Sequence, residues 1–372
     1  MRAVGIILAG GNSRKMKELT AKRATAAMPI AGSYRSIDFA LSNMSNSHVQ
    51  SVAVLTQYNT RSLNEHLNSS KWWDFGRKHG GLYVFTPTIT NNNSDWYRGT
   101  ADAIYQNIEF LKRCHEPYVI ITSGDAVYKL DYNKVLEYHI AKKADITVVC
   151  KHLETGEDAS RFGTVKLDED MRIEEFEEKP MVAASNTVST GVYIIRRRQL
   201  IDLIEHCASE DRYDFVNDIL IRYKNLKNIY GYKIESYWSN ISTVEAYYKT
   251  NMDFLKPEVR NYFFKQYPEV YSKVSDLPPA KYNPGAAVKN SLISSGCIIN
   301  GMVENSVLFK KVFVGNNCVI KNSIILNDVY LGDNTYIENC IVESRDTIRA
   351  NTRYVGEKEI KVVVERNERY GM

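Results

Sequence analysis

Val288-Lys-Asn-Ser-Leu-Ile293 is one copy of a phrase that this chain repeats. It returns as Val303-Glu-Asn-Ser-Val-Leu308, as Ile320-Lys-Asn-Ser-Ile-Ile325 and as Ile337-Glu-Asn-Cys-Ile-Val342, the starts being 15, 17 and 17 residues apart. Between the copies sit Val314-Gly-Asn-Asn and Leu331-Gly-Asp-Asn, again 17 apart. One aliphatic residue about every six, with three such steps per coil, is the period of a parallel β-helix built from hexapeptides. Many such helices are acyltransferases, which need a base, usually histidine. The histidines here are at 48, 66, 79, 115, 139, 152 and 206, all upstream of the repeats. The repeat domain is therefore expected to serve assembly and regulation, its flat faces packing on neighbours.

Upstream, to about residue 250, short β-branched runs alternate with longer amphipathic stretches. Val52-Ala-Val-Leu55, Tyr118-Val-Ile-Ile121 and Ile146-Thr-Val-Val149 read as buried strands, and Thr100 to Arg113 and Tyr132 to Lys142 as helices. That alternation implies an α/β fold with a mostly parallel sheet, whose ligands sit beyond the carboxyl ends of the strands. Gly10-Gly11 and Gly124-Asp125 fall there. The expected division is 1–255 for this domain, 256–283 for a linker rich in aromatic and polar residues with Pro278-Pro279 near its end, and 284–372 for the β-helix.

Composition narrows the function. A net charge of +4 with dispersed cations argues against nucleic acid as a partner. No apolar run approaches the ~18 residues of a membrane span, and no leader pattern opens the chain, so a cytoplasmic protein without a membrane partner is expected. Six scattered cysteines indicate neither zinc nor a disulfide framework. Arg196-Arg197-Arg198 is expected to be a solvated strand end.

Four stretches carry a resemblance: Trp96-Tyr-Arg-Gly-Thr-Ala-Asp102, Ile37-Asp-Phe-Ala-Leu-Ser-Asn43, Gly124-Asp125 and Phe176-Glu-Glu-Lys-Pro180. With the two-domain order, they resemble the glucose-1-phosphate adenylyltransferase family of bacterial glycogen synthesis nearly end to end. The resemblance implies a Rossmann-like nucleotidyltransferase domain followed by a left-handed β-helix. It also implies a reaction in which glucose 1-phosphate attacks the α-phosphorus of ATP, giving ADP-glucose and pyrophosphate. Such a site must neutralise a triphosphate, hold Mg2+ and align the nucleophile.

Laid on the family's motifs, the chain departs from them in three stretches. The loop GGxGTRL reads Gly10-Gly11-Asn12-Ser13-Arg14-Lys15-Met16, so a glycine has become Ser13 and the arginine Lys15, a point charge in place of a fork. KRAKPAV reads Lys22-Arg23-Ala24-Thr25-Ala26-Ala27-Met28, with a lysine lost at Thr25. WRDVGT reads Trp238-Ser239-Asn240-Ile241-Ser242-Thr243, so Asn240 replaces the second magnesium-binding carboxylate beside Asp125. The resemblance implies substrate contacts from Gly10, Gly11, Lys22 and Arg23, and a nucleotide wall from Trp96, Tyr97, Arg98 and Gly99. For the sugar phosphate it implies Phe162, Gly163, Glu178, Lys179 and Ser189. Lys15 and Asp125 remain as the catalytic candidates, with Mg2+ expected to bind weakly or not at all.

The pattern looks like the D-type paralogue found in some Gram-positive bacteria. The resemblance then implies a catalytically impaired regulatory subunit that joins an active subunit in a heterotetramer, with glucose 1-phosphate, ATP or ADP-glucose as candidate ligands. An active adenylyltransferase and a sugar-phosphate or nucleotide sensor are the alternatives.

Overall fold

The computed structural model describes residues 2–11, 13–76, 80–88, 96–154 and 156–365. Asn12, His79 and positions 366–372 of the expected β-helix span lie outside them. Ala3–Leu8 is central in a nine-stranded sheet, parallel to Ser51–Leu55 on one side and to Tyr118–Ser123 on the other. Gly81–Phe85 continues the parallel set at one edge. On the other side Thr187–Arg196 joins antiparallel to Tyr118–Ser123 and to Ile146–His152, making the sheet mixed but mostly parallel around the centre.

Side chains alternate across a strand, so the near-continuous apolar runs must be covered on both faces. Val4, Ile6, Val119 and Ile121 pack under Leu200, Leu203 and Ile204 of the helix Arg197–Ser209. Ala3, Ile7 and Ile120 face Ile37, Leu41 and Met44 of the helix Ser36–Asn46. Arg197, first in its helix, donates to the carbonyls of Glu116 (2.8 Å) and Leu111 (3.0 Å), so that part of the arginine run holds a turn. All six cysteines are free thiols, five of them buried.

The segment expected to be a linker is structured. Pro257–Phe264 is a helix begun by proline, which suits a first turn because its missing N–H is not needed there. Phe263 is fully buried among Phe39, Tyr237 and Phe254. Lys281–Tyr282 already pairs with Ile298–Ile299, so the β-helix ladder starts inside that segment.

The β-helix has three rows of five short parallel strands. Ile299, Val303, Leu308, Val314, Ile320, Ile325, Leu331 and Ile337 point inward and stack coil on coil. The Asn of each repeat has a structural reason. Asn290, Asn305, Asn322 and Asn339 turn the corners with φ of 41, 45, 45 and 53°, a left-handed region that Asn tolerates better than most residues. The ladder is the left-handed β-helix implied by the resemblance.

One outer face of the helix packs on the first domain: Val307, Ile324 and Ile341 meet Met16, Leu19, Met28, Tyr247 and Phe254. Polar ties ring this contact. Tyr248 donates to the Asn322 carbonyl at 2.6 Å, and Arg23 pairs through Nη2 with the Glu343 carboxylate and through Nη1 with Ser344 Oγ at 3.2 Å. Lys22 lies on the same side, its charge acting on Asp346. The structure thus places Arg23, implied as a substrate contact, against the β-helix, while Lys22, also implied as one, is exposed with its charge felt at Asp346.

Two outcomes follow from this contact. Arg23→Ala strips the partner from a carboxylate that is only 11% exposed, and breaking a buried pair costs about 3 kcal/mol or more. Thermal unfolding should show a midpoint several degrees lower, and an unchanged midpoint would show that the pair contributes nothing. Asp346 is the second case. Burial pushes its carboxyl up to about 6, Glu343 and Glu365 push the same way, and the Glu365 N–H and Lys22 oppose them. A carboxyl raised in the fold is favoured protonated, so its contribution is largest below its ordinary value of 3.8 and is lost as pH climbs toward about 6. Asp346→Asn should raise neutral-pH stability and flatten the denaturation midpoint between those limits, as read from urea titrations at several pH values.

Candidate functional site

Three parallel strands end on one edge of the sheet, and their loops meet there. The Ala9 N–H donates to the Leu55 carbonyl at 2.8 Å and the Gly124 N–H to the Leu8 carbonyl at 3.0 Å, fixing the Gly10-Gly11 turn beside Gly124-Asp125. A Cβ on Gly11 would meet nothing within 4 Å, so the fold itself does not require glycine there; the open space suits close approach of a ligand. Thr25, where the family has lysine, lies buried behind this turn with its hydroxyl 3.4 Å from the Gly11 carbonyl. Lys15 is exposed, and its charge acts on Asp158.

Asp125 and Asn240 are brought together by a small antiparallel ribbon. Ala126–Tyr128 pairs with Trp238–Asn240, Asn240 lying opposite Ala126, and the Ile241 N–H donates to the Asp125 carbonyl at 3.0 Å. The Asp125 carboxylate accepts from the Ser123 hydroxyl. Asn240 faces inward on its own turn: its Oδ1 accepts from the Ser242 N–H at 3.0 Å, and its Nδ2 reaches the Asp125 carbonyl at 3.4 Å. The amide oxygen at the second carboxylate position is thus engaged by the backbone.

Two further departures from the family pattern touch each other. Ser13 donates from Oγ to the Ser242 carbonyl at 2.5 Å, a bond that joins residues 229 apart and ties the glycine turn to the Asn240 turn. Glycine at 13 would lack the hydroxyl that makes this contact, and glycine at 242 the hydroxyl that makes the next one. The Ser242 hydroxyl accepts from Arg161 Nη2 at 3.2 Å.

Arg161 was not among the sequence candidates. Burial lowers its pKa, against Asp158, Glu245, Asp125 and Glu157, which raise it, and a guanidinium stays charged regardless. It lies over Phe162 at 5.2 Å from the ring centroid, and its Nε is buried without an acceptor among the described residues. It lines a cleft of about 220 Å³ with Phe162, Trp238, Asn240, Glu245 and Lys249. The available signal was a cation directly before Phe162-Gly163.

In the Trp96 to Gly99 wall Trp96 and Arg98 are exposed, but Tyr97, Arg98 and Gly99 are tied to the rest of the chain. Trp96 is 63% exposed and lies parallel to Tyr58, centroids 6.1 Å apart with planes 3° off parallel. Tyr97 is buried, its N–H donating to Gln57 Oε1 at 2.6 Å and its hydroxyl accepting from Asn107 at 2.9 Å. Arg98 is spent on Asp102 (3.1 Å) and on the ring of Tyr213. A Cβ on Gly99 would come within 2.3 Å of the Tyr213 carbonyl, so glycine there serves chain packing. Arg98 and Gly99 therefore hold the wall in place, while Trp96 and Tyr58 form its open surface.

On the sugar-phosphate side Gly163 pairs with Glu178 across a hairpin, and a Cβ on Gly163 would strike Phe176 at 2.7 Å and the Glu178 carboxylate at 2.9 Å. Lys179 follows at the strand end with φ of 46°, its ammonium 3.0 Å from Glu178 and largely exposed. Phe162 meets Trp238 edge to face at 5.2 Å. Ser189 is buried beside Tyr193, its hydroxyl 3.3 Å from the phenol, at a bulge where Gly191 takes φ of 76°. These groups leave an exposed cation, Lys179, above an aromatic wall.

The nucleotidyl transferase family model matches residues 4–257, and the model of a GlmU-like C-terminal hexapeptide domain matches residues 278–361. A glucose-1-phosphate adenylyltransferase of Clostridium botulinum (strain Alaska E43 / Type E3) is 42% identical over 320 residues, 85% of this chain and 82% of its own length. One of Clostridium novyi (strain NT) is 40% identical over 319 residues, 85% and 83% of the two chains. One of Pseudothermotoga lettingae is 39% identical over 321 residues, 86% and 76%. Among the described residues no helix is long and apolar enough to cross a membrane. Identity at this level over most of both chains, on the fold and loop arrangement described above, means that this chain belongs to the glucose-1-phosphate adenylyltransferase family.

Proposed function

We propose that this chain is a catalytically impaired member of its family that binds substrate-like ligands and modulates an active partner subunit, in a heterotetramer. The observation that carries the reading is the Asn240 side chain, whose oxygen is held by the Ser242 N–H beside a single carboxylate, Asp125. In the family's reaction an oxygen of glucose 1-phosphate attacks the α-phosphorus of ATP while the bond to pyrophosphate breaks. Magnesium supplies charge neutralisation between the phosphates when bound, and nucleotide sites hold it with one or two carboxylates and phosphate oxygens. Asp125 offers one such ligand; a neutral amide already bonded to the backbone is a poor second, so the donor set fits the ion badly.

The remaining residues support binding. The parallel Trp96 and Tyr58 rings offer faces for a base, the open Gly11 turn leaves room for phosphate, and Lys179 offers a cation to a sugar phosphate. Arg161 adds a fixed positive charge beside Asp125, where attraction to a second cation is reduced. Losing one transition-state contact costs roughly 3 kcal/mol, a factor of about a hundred or more in rate, and the altered groups here act as a connected set. Modulation of a partner then needs differential contact: its active form must bind this subunit more tightly than its inactive form does. The alternative favoured by the retained Asp125 is an active glucose-1-phosphate adenylyltransferase, and one assay separates the two.

Purified alone with ATP, Mg2+ and glucose 1-phosphate, the chain should turn over at least about a hundredfold more slowly than an active relative measured beside it. Comparable rates would end the regulatory reading. Mixed with an active subunit from the same cell, it should coelute in fixed proportion and change that subunit's turnover. Ser13→Gly with Lys15→Arg and Asn240→Asp should raise the rate of the isolated chain by tenfold or more, about 1.4 kcal/mol of barrier and so less than one full transition-state contact.

Binding gives an independent measurement. Calorimetric titration should find glucose 1-phosphate binding abolished by Lys179→Ala. Trp96→Ala should weaken adenine nucleotide by about tenfold, the scale of one stacked base. Arg98→Ala should instead lower the unfolding midpoint, because its partners Asp102 and Tyr213 belong to the chain itself.

A further inference from the structure

The cations around the Asn240 turn are not all spent. Lys249 is held by Glu157 at 2.7 Å. Arg161 donates to the Ser242 hydroxyl at 3.2 Å and Lys15 is exposed; among the described residues neither stands within ion-pair distance of a carboxylate. The four carboxylates whose charge Arg161 feels have other support. Glu157 has Lys249, Asp125 accepts from the Ser123 hydroxyl, and Asp158 accepts from the Ser160 N–H at 3.0 Å and from its hydroxyl at 2.6 Å. Glu245 stands in the first turn of the helix Val244–Asp253, where the helix dipole favours negative charge. The charges of Arg161 and Lys15 both act on Asp158, which sets the two cations in one neighbourhood. The glycine turn belongs to it as well, because Ser13 and Arg161 meet on the same residue, Ser242.

We propose that Arg161 and Lys15 stand in for a metal: they hold the outer phosphate of a nucleoside diphosphate or triphosphate beside the Gly10-Gly11 turn, and nucleotide binds without Mg2+. The inference rests on the binding role proposed above and names how that site takes its anion. The donor set at the ribbon fits the ion badly, since Asn240 is neutral and its oxygen already accepts from the Ser242 N–H. Ser242 also supplies the hydroxyl that orients the guanidinium, so an amide at 240 and a side chain at 242 work together. A guanidinium keeps its proton and presents its N–H groups in one plane. With Nη2 on Ser242 and Cζ 5.2 Å from the centroid of the Phe162 ring, Arg161 is fixed, while Nη1 has no bond to the described residues and is left for a phosphate oxygen.

Overall field does not drive this binding. Four carboxylates, Glu157, Asp158, Glu245 and Asp125, face three cations, Arg161, Lys15 and Lys249, so direct contact decides. Asp158 then competes with the ligand for the two unspent cations. A nucleoside monophosphate lacks the outer phosphate and gains little from the pair.

Calorimetric titration of the full chain with ADP, once in EDTA and once in excess Mg2+, decides it. ADP should bind in EDTA at least as tightly as in Mg2+, because a nucleotide already chelated by Mg2+ offers its phosphate oxygens less freely. In EDTA, AMP should bind about tenfold more weakly than ADP, and Arg161→Ala should weaken ADP by about the same factor, the scale of one charge-assisted hydrogen bond. Asp158→Asn should tighten ADP, a gain that damage to the fold cannot produce. Asn240→Asp should reverse the order of the two conditions, so that Mg2+ now favours binding. ADP binding by the unmodified chain that requires Mg2+, AMP as tight as ADP, full affinity of Arg161→Ala in EDTA, or weaker ADP binding by Asp158→Asn would each overturn this inference and leave the impaired-subunit reading standing. No binding of ADP, ATP or glucose 1-phosphate in either condition would overturn both.

Discussion

A three-residue antiparallel ribbon, Trp238–Asn240 on Ala126–Tyr128, decides what the site can be. It brings position 240, more than a hundred residues downstream, to the carboxyl edge of the main sheet beside Asp125. Because the ribbon holds the backbone at both positions, the identity of residue 240 sets the charge beside Asp125 without altering the fold. A carboxylate there would face Asp125 and demand a cation between them. An amide demands nothing, and it settles against the Ser242 N–H and the Asp125 carbonyl.

That local settlement extends outward through Ser242. Its carbonyl accepts from Ser13 and its hydroxyl from Arg161, so the glycine turn, the Asn240 turn and the segment before Phe162 share one set of hydrogen bonds. The bonds are individually modest, each about 1 kcal/mol, but they act on loops that in a working site must shift around a triphosphate. A turn already tied to its neighbour has less freedom to wrap phosphate. A guanidinium among Asp158, Glu245, Asp125 and Glu157 meets part of the demand for positive charge without any metal. The departures from the family pattern thus form one structural unit, and reversing any single one would leave the others in place.

The fold was readable because its signals are periodic. The repeat at Val303, Ile320 and Ile337 fixes which side chains stack inward, and the Asn of each copy turns one corner of its coil at positive φ. The meeting of Gly10-Gly11 with Gly124-Asp125 followed from strand ends. Side-chain direction was not readable. Arg23 falls in a motif that aligns with ligand contacts, yet its side chain crosses to Glu343 and Ser344, groups more than 300 residues away in the chain. Arg98 looks like a free cation in sequence and is consumed by Asp102 four residues on. The segment 256–283 carried the composition of a linker, but its aromatics complete a core whose other half, Phe39 and Tyr237, comes from distant parts of the chain. The Ser13–Ser242 bond had no sequence signal, since each serine reads alone as a simple loss of glycine.

Arg23 also joins the two domains. It stands two residues before Thr25, which touches the Gly11 carbonyl, and it holds the end of the β-helix through Glu343 and Ser344. On the proposed regulatory reading, one short segment links the β-helix to the glycine turn, with the Arg23–Glu343 pair at one end and the buried Thr25 hydroxyl at the other. Ligand occupancy need then only favour one arrangement of residues 23–25 for a partner docked on the β-helix to register the difference.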